Sequence, residues 1–173
     1  MLADVGVPML AAVWPLMWFM LLPIVVLEAE WAYRTMNWSR FECYKVTSLG
    51  NLASSIVGIP IAWIAMFAIQ FLFHLAFYNW EHWEFWWFLR VILFPVNVAW
   101  LPPGATNWQM VLAFCILSIP FCWTSIVVER KVARWLKPEA PQEKLNRWLR
   151  QANMASYFGL MMVAIIYVAL CEG

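Results

Sequence analysis

Two glutamates and two asparagines are the side chains in this sequence best placed to do chemistry together: Glu28, Glu129, Asn51 and Asn153. Each glutamate closes an apolar stretch, after Val25-Val26-Leu27 and after Ile126-Val127-Val128, and each asparagine opens the next one. A carboxylate at the end of one helix and a carboxamide at the start of the next can meet across a turn, the amide N–H donating to the acid. A buried carboxylate without such donors is costly. The pattern therefore has two readings. Either the acid–amide pairs tie the helices together and are satisfied locally, or the two glutamates line an inner-facing site for a cation or a proton.

The remaining reactive residue types form no constellation. His74 and His82 are the only histidines, and their spacing of eight residues matches no metal site. Either could touch a haem or a chlorophyll, but a hydrogen-bonded filler is the plainer expectation. Cys43, Cys115, Cys122 and Cys171 show no CxxC spacing, so neither a zinc site nor a disulfide framework is expected. No nucleophile triad and no phosphate loop is present. The expectation is a non-enzyme that requires no cofactor and whose main small-molecule contact is lipid.

The elements that must position these residues follow from composition. Of the 173 residues, 65% are hydrophobic and 12% charged, against about 45–50% and about 25% in soluble domains. That excess points to a polytopic, all-α membrane protein forming a single domain over 1–173. The net charge of +1 gives no reason to expect a nucleic-acid partner.

Four runs approach the roughly 20 apolar residues a span requires: about 8–27, 49–77, 108–128 and 154–170. The first lacks the basic leader of a signal peptide and is expected to be retained. A fifth run, 85–101, carries Arg90, Pro95 and Asn97. With four spans, ten of the eleven basic residues lie on one side and only Arg90 lies opposite. The positive-inside rule selects that arrangement. Both termini are then outside, and 85–101 is re-entrant or interfacial.

Local signals mark the helix starts. Ser39-Arg40-Phe41-Glu42 and Thr106-Asn107-Trp108-Gln109 match capping boxes. Between the second and third spans lies a tryptophan-rich segment with Trp80, Trp83, Trp86, Trp87 and Trp100, which reads as an interfacial helix or a docking surface for a partner or a pigment. Asn51, Ser54, Ser55 and Gly58 sit at i, i+3, i+4 and i+7 on one helix face. Ser54/Gly58 and Ala155/Gly159 are small-xxx-small pairs, expected to let helices pack closely within the bundle or against a partner subunit.

The two halves of the chain resemble each other. Val26-Leu27-Glu28-Ala29-Glu30-Trp31-Ala32 aligns with Val127-Val128-Glu129-Arg130-Lys131-Val132-Ala133, and Asn51-Leu52-Ala53-Ser54 aligns with Asn153-Met154-Ala155-Ser156. Each half is a span inward, an acidic inner end, a basic lead-in and a span outward. The expected architecture is two parallel-repeat hairpins, about 8–78 and about 106–171, joined by the outer segment 79–105.

Leu-Glu-Ala ending the first span, Asn-Leu-Ala-Ser-Ser-Ile-Val-Gly-Ile-Pro opening the second and Ser-Ile-Val-Val-Glu-Arg ending the third together resemble a group of uncharacterised bacterial inner-membrane proteins. The resemblance covers about three-quarters of the chain, leaves the tryptophan-rich segment unmatched, and implies four spans in a prokaryotic membrane. It implies no activity. The leading functional expectation is a non-catalytic accessory subunit of a larger membrane complex, energy-transducing or photosynthetic assemblies being examples. The alternative is a small homo-oligomeric transporter or channel using the paired glutamates. A lipid enzyme ranks last, because the four-span topology puts Glu28 and Glu30 on one side of the membrane and His74 and His82 on the other.

Overall fold

The computed structural model describes residues 9–77 and 106–172. The tryptophan-rich segment and His82 lie outside the described residues. Four helices account for nearly all that is described: α1 (Met9–Met36), α2 (Arg40–Phe77), α3 (Asn107–Leu136) and α4 (Gln142–Glu172). Among the described residues there is no strand.

Short-range chemistry sets the helix ends. Asn37 has φ of 56°, the left-handed conformation that stops a helix and that asparagine tolerates better than most side chains. Two residues later, Ser39 starts α2. Its amide donates to Glu42 Oε2 at 2.9 Å, and the Glu42 amide donates to Ser39 Oγ at 3.3 Å. Thr106 and Gln109 make the same reciprocal pair at the start of α3, at 2.9 and 3.3 Å. Caps of this kind contribute about 0.5–2 kcal/mol each. Pro138 and Pro141 bracket the break between α3 and α4, where a helix cannot continue without amide donors. Pro60 and Pro120 lie inside α2 and α3.

The helices close into a ring. α1 packs on α2, α2 on α3, α3 on α4 and α4 on α1, so α1 and α3 are diagonal to each other, as are α2 and α4. The α1–α2 and α3–α4 connectors lie at the same end. Lys137 in the second connector pairs with Glu42 beside the first and lies 5.8 Å from the centre of the Trp38 ring.

Burial is concentrated at that connector end. The core there combines Ala29, Ala32, Met36, Cys43, Val46, Ala133, Leu145, Trp148 and Leu149 from all four helices. Further along the helices, large apolar side chains face outward. Phe19 and Leu22 on α1, Ile64 and Leu75 on α2, Ile119 on α3 and Leu170 on α4 are all more than two-thirds exposed. Scattered exposed apolar residues are ordinary, but a girdle of them on every helix calls for an apolar medium or partner. Two of the helices, α3 and α4, are long and apolar enough to cross a membrane.

Within the described part of the chain, Gly58 and Gly159 make no close helix approach. A Cβ added at either would meet no atom within 4 Å. Ser55 and Ala155 are half-buried. The tight approach is at Gly50 instead, nearer the connectors, where a Cβ would sit 3.3 Å from Glu129 Cγ. The helices are drawn together around the buried polar layer, and the small residues of the apolar girdle face open space. Gly50→Val is therefore expected to destabilise by about 1–3 kcal/mol through overpacking. Gly58→Ala should instead stabilise by about 0.5–1 kcal/mol, removing a helix-interior glycine without a clash. Unfolding titrations in mixed detergent micelles would measure both. Equal damage at the two glycines would contradict this packing.

Candidate functional site

The four polar residues singled out in the sequence meet at one level of the ring. Glu28, Asn51, Glu129 and Asn153 are all at least 94% buried. Asn51 Nδ2 donates to Glu28 Oε2 at 2.6 Å, and Asn153 Nδ2 donates to Glu129 Oε2 at 2.7 Å. The second hydrogen of each amide goes to the main chain one turn back, to Thr47 O at 3.1 Å and Leu149 O at 3.2 Å. Both neighbours of each amide nitrogen are thus oxygens that accept, which sets the orientation of the amide.

The remaining carboxylate oxygens are reached from the other half of the chain. Ser156 Oγ lies 2.7 Å from Glu28 Oε1, and Ser54 Oγ lies 3.3 Å from Glu129 Oε1. Each glutamate thus bonds an asparagine from the helix that follows it in sequence and a serine from the other half. The four bonds link the helices in turn, α1 to α2, α2 to α3, α3 to α4 and α4 to α1. Ser54, which its spacing marks for a packing face, also bonds Glu129.

The serine cross-links were not visible in the sequence. The spacing that marks Ser54 suggests packing, and the repeat that pairs Ser54 with Ser156 does not say which acid each one reaches. Two further contributors also escape a one-dimensional reading. Gly50 makes room for the Glu129 side chain, as its 3.3 Å approach shows. Trp148, 98% buried, donates its indole N–H to the Glu28 carbonyl at 3.2 Å and packs edge-on against Trp38 with ring centres 5.8 Å apart. One turn past Glu129 on α3, Ser125 Oγ and Tyr157 Oη are hydrogen-bonded at 2.8 Å.

Among the described residues no cation pairs with Glu28 or Glu129. Among the described residues, the ion pairs join Arg40 to Glu30, Lys137 to Glu42 and Glu139, and Arg147 to Glu143, all near the connectors. Neither Glu28 nor Glu129 takes part. Burying two carboxylates with only neutral donors carries a large desolvation cost. Among the described residues no group of three or more His, Cys, Asp and Glu side chains could hold a metal. His74 lies on α2, whereas Trp80, Trp83, Trp86, Trp87 and Trp100 lie outside the described residues.

At the connector end, electrostatics follow ordinary surface rules. The Lys137 ammonium, together with the Ser39 amide and hydroxyl, holds the Glu42 carboxyl down from 4.5 to about 2, and Glu42 in turn holds Lys137 above its usual value. A depressed acid contributes stability above its unfolded value, and that contribution is lost as pH falls through the folded value. Glu42→Gln is therefore expected to lower the thermal unfolding midpoint at neutral pH. The gap from the wild type should shrink as pH drops from 4.5 towards about 2. A gap independent of pH in that window would show that the pair does not couple to folding.

In comparisons with known proteins, the chain matches no family model, no curated protein and no solved structure.

Proposed function

We propose that the chain is an integral protein of a bacterial inner membrane, with four spans and both termini periplasmic, acting as a non-catalytic subunit of a larger membrane assembly. One observation carries the reading. In the described part, the buried polar groups of the central layer are turned inward and bonded to one another, while the surface along the helices offers apolar side chains. Such a molecule presents lipid and neighbouring helices with a binding surface and offers a soluble substrate little to hold. By composition the tryptophan-rich segment 79–105 is also rich in apolar residues.

The architecture behind this reading is two parallel repeats. The buried positions Cys43, Val46, Thr47, Gly50, Asn51 and Ser54 on α2 recur 102 residues later as Leu145, Trp148, Leu149, Ala152, Asn153 and Ser156 on α4. Helix starts at Arg40 and Gln142 share that offset. Chemistry differs at several of these pairs while burial agrees, as expected of two copies that keep one packing face. The shared end of the two connectors also gathers the basic residues of both halves, which supports placing it in the cytoplasm.

The test is a photo-crosslinking amino acid at exposed Trp123 or Phe19, activated in intact cells, followed by mild extraction. A defined protein adduct of fixed stoichiometry is expected. A stable monomer that carries only lipid adducts at both positions would sink the subunit reading.

A small transporter is the second reading, favoured by the bonded layer itself. It places both acids where the two halves meet, the position of substrate and ion sites in repeat-built transporters. Flux of a solute or ion into proteoliposomes, lost in Glu28→Gln with Glu129→Gln, would establish it.

A further inference from the structure

We propose that the Glu28–Glu129 layer is a proton-binding site: at neutral pH at least one of the two side chains is a carboxylic acid, and its proton exchanges with water at the connector end past Thr47. The proposal rests on the geometry of the layer and holds whether the chain is a subunit or a transporter.

The first support is a count of hydrogens. Both amide hydrogens of Asn51 and of Asn153 are engaged, so neither amide has one to spare. Each serine hydroxyl has a single hydrogen and two acceptors within reach. Ser156 Oγ is 2.7 Å from Glu28 Oε1 and 3.0 Å from Ala152 O. Ser54 Oγ is 3.3 Å from Glu129 Oε1 and 3.0 Å from Asn51 O. With the glutamate ionised, the serine must turn its hydrogen to the carboxylate and give up the main-chain carbonyl. With the glutamate protonated, the acid O–H donates to serine Oγ, the serine donates to the carbonyl, and the asparagine donates to the other carboxyl oxygen. Every hydrogen has an acceptor in either state and no heavy atom moves between them, while the protonated state also keeps each serine's bond to the main chain. The same cage serves both protonation states, and only the protonated one avoids buried charge.

A second observation is independent of those bonds. Thr47 Oγ1 is a buried hydroxyl with no partner, in a residue 97% buried. Thr47 stands four residues before Asn51, so it shares the α2 face that meets α1, one turn closer to the connectors. A hydroxyl that both donates and accepts, left unsatisfied between the acid layer and the water-facing end, suits the passage of a proton.

Among the described residues no positively charged side chain pairs with the layer. From α2 the facing groups are Thr47, Asn51 and Ser54, all uncharged. Cys122 on α3 and Tyr157 on α4 carry no positive charge in any protonation state, and Arg130, next to Glu129 in sequence, forms no ion pair with either acid among the described residues. On α1 itself, Glu30 is engaged towards Arg40 and Tyr44.

Infrared spectroscopy of the purified, folded protein at neutral pH tests this. The expected result is the C=O stretch of a protonated carboxyl, shifted in D2O, which is lost in the Glu28→Gln, Glu129→Gln double variant. If that variant does not fold, Glu28→Gln and Glu129→Gln are measured singly, and at least one must remove or shift the band. Thr47→Val is expected to keep the band and slow its deuterium shift. An unchanged rate would overturn the route past Thr47. Absence of the band in the wild type, or its persistence in the folded double variant, would overturn the site. So would its loss on adding sodium or magnesium at constant pH, which would show a cation in place of the proton.

Discussion

Trp148→Ala is expected to lower the free energy of unfolding by about 3–5 kcal/mol, as for other buried aromatic truncations. The side chain is 98% buried, and alanine would open a cavity where all four helices contribute to the connector-end core. Three contacts go at once: the bond from the indole N–H to the Glu28 carbonyl at 3.2 Å, the edge-on contact with Trp38, and the packing of the core around it. Because that carbonyl belongs to Glu28, the loss also loosens the α1–α4 junction at the level of the acids. Trp148→Phe separates the effects. It keeps most of the volume and removes the donor, so about 0.5–1.5 kcal/mol is expected. Unfolding titrations in mixed micelles would measure both. A Trp148→Ala protein indistinguishable from the wild type would mean that the connector-end core does not hold the bundle together.

The second large effect belongs to the asparagines. Asn51→Ala and Asn153→Ala each take away the amide that meets a buried carboxyl oxygen, at 2.6 and 2.7 Å. Leaving such a group unsatisfied costs about 1–3 kcal/mol. Hydrogen bonds in membrane proteins are worth less than burial alone suggests, because the unfolded chain in lipid also finds partners. The lower half of that range is therefore expected. The surroundings of the two asparagines match, so the two losses should match. Both acids are bonded to α2 and to α4, so the double variant should depart from additivity by about 0.5 kcal/mol or more. Unequal single losses would show that the two halves do not share one layer. Strict additivity would show that the acids do not communicate.

Much of this arrangement was legible in one dimension, for a physical reason. Caps act over three or four residues, so Ser39 with Glu42 and Thr106 with Gln109 announced where α2 and α3 begin. The prolines at 138 and 141 likewise marked the break before α4. The acid–amide contacts could be anticipated as well, because each joins helices linked by only a few residues, and a short turn leaves the chain little choice of neighbour.

What the sequence by itself determined is therefore local: the helices, most of their ends and the polar residues brought to one level. Tertiary structure decided which helix stands beside which. The bonds from Ser156 to Glu28 and from Ser54 to Glu129 bridge residues 128 and 75 positions apart, and no pattern of period 3.6 encodes contacts at that range. Gly50 shows the same limit. Its neighbour is an acid on α3, and only the approach of two helix surfaces reveals why a side chain there would be crowded. Gly58 carries the same residue type in the more suggestive small-xxx-small spacing, yet it faces open space. Composition states that a residue is small, but packing determines whether anything comes close.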